Sequence, residues 1–156
     1  MIEEIKGLDS KEYIHLKDAI ALITVLIAGA DGEIDTKEKD WAKKITDIRS
    51  YTLPDGLKKF YEDVGISFQD RLDHYIELYK GDIEGRNKAI SDRLAELNDI
   101  LPKIRNRELA IALYESLLSF AKHVARASGG FLKWGGISSK EEKLMNLDMI
   151  DPLEEQ

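Results

Sequence analysis

Between Ala19 and Ala30 the chain runs Ala-Ile-Ala-Leu-Ile-Thr-Val-Leu-Ile-Ala-Gly-Ala. Wound as a helix, that segment is apolar on every side except at Thr24. A helix without a polar face has to be enclosed by other elements, so this one belongs at the centre of the fold. It is also well short of the ~20 residues that span a bilayer. Upstream, Tyr13, Leu16, Ile20, Ile23 and Ile27 extend the same helical spacing. Asp9 and Glu12, three residues apart, form a capping box that sets the start. Gly32 suits the position just past the end.

The rest of the chain repeats the helical period in amphipathic form. Asp35-Thr36-Lys37-Glu38 opens a second helix with Trp41, Ile45 and Ile48 on its apolar stripe. Pro54 begins a short third helix carrying Leu57, Phe60, Tyr61 and Val64, which Gly65 is expected to stop. A fourth starts over Ser67 to Asp70, carries Phe68, Leu72, Ile76 and Tyr79, and ends before Gly81. Ile90, Leu94, Leu97 and Leu101 line a fifth, closed by Pro102. A sixth spans about Asn106 to Ala127, with Leu109, Leu113, Leu117, Phe120 and Val124 on one face. After a glycine-rich loop, Ser138 to Glu141 opens a last short helix. No stretch alternates at period two, and neither Asp31-Gly32 nor Asp55-Gly56 lies between β-branched runs. The expectation is an all-α, single-domain bundle of about seven helices over residues 1–156, with the tail 152–156 frayed.

One stretch recurs. Setting Asp31 against Trp134 matches Gly32 with Gly135, Ile34 with Ile137, Lys37 with Lys140 and Glu38 with Glu141. Asp35 and Ser138 correspond as helix caps. Each copy follows a long apolar helix and precedes another helix. This pattern predicts two helix-loop-helix units, with the intervening helices inserted between them.

The residues Ala30-Asp31-Gly32-Glu33-Ile34 with Glu38, and the later Gly136-Ile137-Ser138 with Glu141, resemble the TerB-like family of tellurite-resistance proteins. With the helix order, the resemblance covers most of the chain. It implies an all-helical, cytoplasmic, non-catalytic module in tellurite or general stress response. It also implies a cation or partner site made from the acidic residues of the two loops, here Asp31, Glu33, Asp35, Glu38 and Glu141. Trp134 stands where that family often has another aspartate.

Other readings of the same residues compete. Asp31 to Glu38 matches the second half of a calcium-binding EF-hand loop, but Ile27 and Gly29 stand where the first two oxygen ligands belong. Calcium binding no tighter than about the millimolar range is expected from such a site. Asp35-x-x-Glu38 and Ser138-x-x-Glu141 are capping boxes, which explains four of the acidic or polar residues by local backbone chemistry. Asp31 has no such explanation. At the C-terminal end of an apolar helix its carboxylate is disfavoured by ~0.3–1 kcal/mol. An Asx turn onto Glu33 or Ile34, or a cation or basic partner, would offset that. Phe131 and Trp134, large apolar residues in the glycine-rich loop, are expected to fold back onto the bundle.

The remaining chemistry-bearing residues form no constellation. His15, His74 and His123 lack metal-ligand spacing. No serine sits in a nucleophile elbow. The paired glycines Gly129-Gly130 and Gly135-Gly136 follow no strand, unlike a phosphate-binding loop. Tyr61, Tyr75, Tyr79 and Tyr114 read as core-boundary residues. The absence of cysteine removes disulfides, thiolate metal sites and cysteine nucleophiles. A net charge of −7 argues against non-specific nucleic-acid binding. The N-terminus lacks a signal-peptide pattern. These features predict a cytoplasmic interaction module without an enzymatic role or direct membrane insertion. The partner would be a protein, with a membrane-associated stress-response complex as one setting for it. The second function class is binding of a divalent cation by the loop carboxylates.

Overall fold

The computed structural model describes residues 7–28, 36–53, 55–128 and 139–153, apart from the side chains at 36–38, 41, 48, 50–52, 55, 127–128 and 139–141. The regular structure of the described residues is all helix, with no strand among them. The helices are α1 (Ser10–Ala28), α2 (Thr36–Thr52), α3 (Asp55–Leu78), α4 (Ile83–Ala95), α5 (Leu97–Ile100), α6 (Arg107–Ser128) and α7 (Ser139–Met145). The all-α class expected from the hydrophobic period is the class observed.

Helix α1 is the centre. From Ala19 to Ala28 every residue is buried, as an all-round apolar helix requires. Its start is the reciprocal capping box: the Glu12 N–H donates to Asp9 Oδ1 at 2.8 Å, and the Asp9 N–H donates to Glu12 Oε1 at 3.0 Å. Thr24, the one polar residue in the run, donates its hydroxyl to the Ile20 carbonyl at 2.8 Å. That bond satisfies it without a partner from another helix.

Helices α2 and α3 form an antiparallel pair, with Lys39 reaching Asp73 while Lys43 and Asp47 lie beside Gly65. Helix α3 runs parallel to α1: Tyr13 meets Asp63, and further along Asp18 meets Arg71. Helix α6 packs against α1, α2 and α3, and α7 touches both α1 and α6. At the start of α1, Gly7 adopts φ +110°, and an added Cβ there would lie 2.0 Å from the Lys103 carbonyl oxygen. Glycine alone permits this close approach. Lys103 also donates to Glu12 at 2.6 Å, so α1 and the segment leading into α6 begin side by side.

Two expectations need correction. The third and fourth helices are one, α3, which runs through Gly65. The stripes on either side, Phe60-Tyr61-Val64 and Phe68-Leu72-Tyr75, are in helical phase and buried. Their burial outweighs the ~1 kcal/mol that a mid-helix glycine costs. The expected fifth helix is instead broken at Glu96 into α4, α5 and a 3-10 turn over Leu101–Lys103. An unbroken helix would give the Arg93 carbonyl to the Leu97 N–H. Here that carbonyl accepts from the Glu96 N–H and faces His15 Nε2 at 2.8 Å. Ile90, Leu94, Leu97 and Leu101 are all buried despite the break. Of the tail expected to fray, Leu153 lies against the core, and residues 154–156 fall outside the described residues.

Helix α7 closes with a left-handed residue that is not glycine. Leu147 has φ 51°, the Asp148 N–H donates to the Lys143 carbonyl, and the Leu147 N–H donates to that of Leu144. This is a Schellman ending. The Leu147 side chain is fully buried, and its burial offsets the cost of the conformation.

Candidate functional site

Of the acidic residues singled out in the sequence, Asp31, Glu33 and Asp35 lie outside the described residues. Glu38 and Glu141 fall in the first turns of α2 and α7, with their side chains outside the description. Phe131, Trp134 and Ser138 also lie outside it. The structure therefore gives the frame of the two units. Each motif stretch follows a long helix, α1 or α6, and these two helices pack on one another. Among the described residues no group of three or more histidine, aspartate or glutamate side chains is placed to hold a metal ion.

Inside the bundle the polar side chains are paired structurally. Asp18, nearly fully buried on α1, accepts from Arg71 Nε at 3.0 Å, from Arg71 Nη2 at 2.8 Å and from the Tyr75 hydroxyl at 2.7 Å. The two-pronged hydrogen bonding to Asp18 raises the Arg71 guanidinium above its ordinary value. Burial, and then Asp18, raises the Tyr75 phenol. Tyr75 stacks on Tyr79 with ring centroids 5.9 Å apart.

A second network joins α2, α3 and α6. The buried Arg49 donates to the Ser119 hydroxyl at 2.9 Å and to the Ser116 carbonyl at 3.4 Å. Its guanidinium lies over the rings of Tyr61 and Phe120. Ser116 donates to the Leu113 carbonyl at 2.8 Å, so the contact between the Tyr61 and Ser116 hydroxyls, at 3.0 Å, has Tyr61 as donor. Burial raises the Tyr61 phenol. Nearby, burial and then the charges of Arg49 and Arg126 hold His123 below the usual histidine range.

The histidines divide between a buried His15 and two at the surface. His15 directs Nε2 at the Arg93 carbonyl, so that nitrogen carries the proton. Glu96 Oε2 also lies 3.3 Å from it. His74 and His123 are exposed. Of the tyrosines expected at the core boundary, Tyr79 and Tyr114 are half-buried there, while Tyr61 and Tyr75 sit deeper and are buried.

On the outside, α1 and α3 leave a groove of about 360 Å³ between them, lined by Ser10, Tyr13, Ile14, Lys17, Asp63, Ile66 and Ser67. Its floor is the Tyr13 hydroxyl donating to Asp63 Oδ2 at 2.6 Å. Burial, and then Asp63, raises the Tyr13 phenol, so the donor keeps its proton. Ile14 is 51% exposed and Ile66 84%. The sequence carried a signal for this groove that the stripes hid. Ile14 and Ile66 are the isoleucines that fall off the buried faces of their helices, each among charged residues.

No helix among the described residues is long and apolar enough to cross a membrane. Comparison with protein-family models, curated proteins and solved structures finds no match to this chain.

Proposed function

We propose that this chain is a non-catalytic, TerB-like helical module of tellurite or general stress response, which docks a protein partner through its acidic loop end. The observation that carries this reading is the packing of α6 on α1, with α7 against both. The two motif-bearing helix-loop-helix units share one core, as an internal repeat requires. The long helices α1 and α6 are the scaffold from which the motif stretches depart. In the interior, Asp18, Arg71, Tyr75, Arg49, Ser116 and Tyr61 serve one another in structural pairs.

Growth under tellurite and oxidative stress tests the proposal. Cells carrying Asp31→Asn should lose tolerance while the protein keeps wild-type abundance and melting temperature, because asparagine retains the acceptor oxygen and drops the charge. Wild-type tolerance would reject the docking role of the loop. Calorimetric titration with calcium and magnesium separates the cation alternative. A tight, stoichiometric heat that Asp31→Asn abolishes would replace partner docking by metal binding.

A further inference from the structure

The groove between α1 and α3 has a charge pattern that the loop reading does not use. On α1, Ile14 is flanked one turn before and one turn after by Lys11 and Lys17. On α3, Ile66 is flanked by Glu62 and Asp63 before and by Asp70 after. One lip is an isoleucine between positive charges; the other is an isoleucine between negative charges. The two lips do not neutralise each other across the groove. Lys17 lies over the Tyr13 ring at 5.1 Å, with no carboxylate of the described residues in ion-pair reach. Asp63 accepts from the Tyr13 hydroxyl. Ile14 and Ile66 are two of the three large apolar side chains that stand exposed among the described residues.

A surface carrying both patterns in parallel is complementary to itself. Because α1 and α3 run in the same direction, a two-fold axis along the groove sets α1 of one copy opposite α3 of the other. Lys11, Ile14 and Lys17 then meet the acidic–Ile66–acidic stripe in register, twice over. This is the reciprocal geometry of an isologous dimer. Copies with a net charge of −7 repel at long range, so an interface has to supply local attraction, and the lysine lip does so. We infer that the α1–α3 groove is a homodimer interface, closed by a second copy of this chain through the paired Ile14 and Ile66 and opposed charged lips. The inference is independent of the acidic loops.

The test is sedimentation velocity of the full chain over a wide concentration range, with a charge swap. Wild type should show a concentration-dependent dimer. Ile66→Asp should be monomeric with an unchanged helical spectrum, since that side chain is almost wholly exposed. Lys11→Glu/Lys17→Glu and Glu62→Lys/Asp70→Lys should each be monomeric alone, and an equal mixture of the two should recover the dimer. A wild-type chain that stays monomeric throughout would overturn the inference. So would a dimer that survives Ile66→Asp, or charge-swapped partners that fail to associate while remaining folded.

Discussion

Two glycines show how one residue type carries opposite consequences. Gly65 sits inside α3, where an added Cβ would make ordinary contacts, 3.6 Å to Lys43 Nζ and 3.7 Å to Asp47 Oδ1. Both are ends of flexible side chains. Gly65→Ala should therefore stabilise the protein by about 0.5–1 kcal/mol in urea unfolding. Gly7→Ala meets the Lys103 carbonyl and a left-handed backbone, and should cost more than ~1 kcal/mol by the same measurement. His123 supplies a pH dependence. Its folded value is depressed by burial and by Arg49 and Arg126, so the unfolded chain binds the proton more readily. Stability is full above the ordinary histidine value of about 6.5 and falls as pH drops through that value towards the folded one. His123→Gln should flatten the melting temperature across this window relative to wild type. The sequence marked Gly65 only as a helix stop and His123 only as a histidine without metal-ligand spacing, and it left Gly7 unmarked, because the surroundings that decide each effect come from other elements.

At the scale of elements, the tie between α1 and α3 is asymmetric. Asp18 is nearly buried, whereas the Arg71 side chain is 37% exposed. Removing Arg71 leaves a buried carboxylate with Tyr75 as its remaining partner, and Arg71→Met should cost about 3 kcal/mol. Removing the carboxylate leaves a guanidinium that water can reach, and Asp18→Asn should cost less, about 1–2 kcal/mol. Chemical denaturation of the two variants checks both the sum and the order. The sequence pattern carried most of the element boundaries, including the Asp9–Glu12 box and the start of α6 near Asn106; the structure adds that Asn106 Oδ1 caps this helix, accepting from the Leu109 N–H at 3.1 Å. It failed where local signals met tertiary ones. Gly65 reads as a stop in isolation, and Glu96 gives no sign that His15 will engage the preceding carbonyl.

For the whole molecule, the all-round apolar run at Ala19–Ala28 determined the architecture, because it left only enclosure by other helices as a solution. The fold class was legible for that reason. The candidate site was legible only as a motif: Asp31, Glu33 and Asp35 announce a charged loop, but their chemistry depends on what approaches them. The α1–α3 groove was hidden because exposed isoleucines look like any others in a helical pattern. Docking through the acidic loop is tested most directly by affinity isolation from the native cell, comparing wild type with Asp31→Asn at matched protein levels. A defined partner should be retained by wild type, released by raised salt as a charge-driven contact is, and lost with Asp31→Asn. Equal recovery of that partner by both proteins would contradict docking through the loop charge.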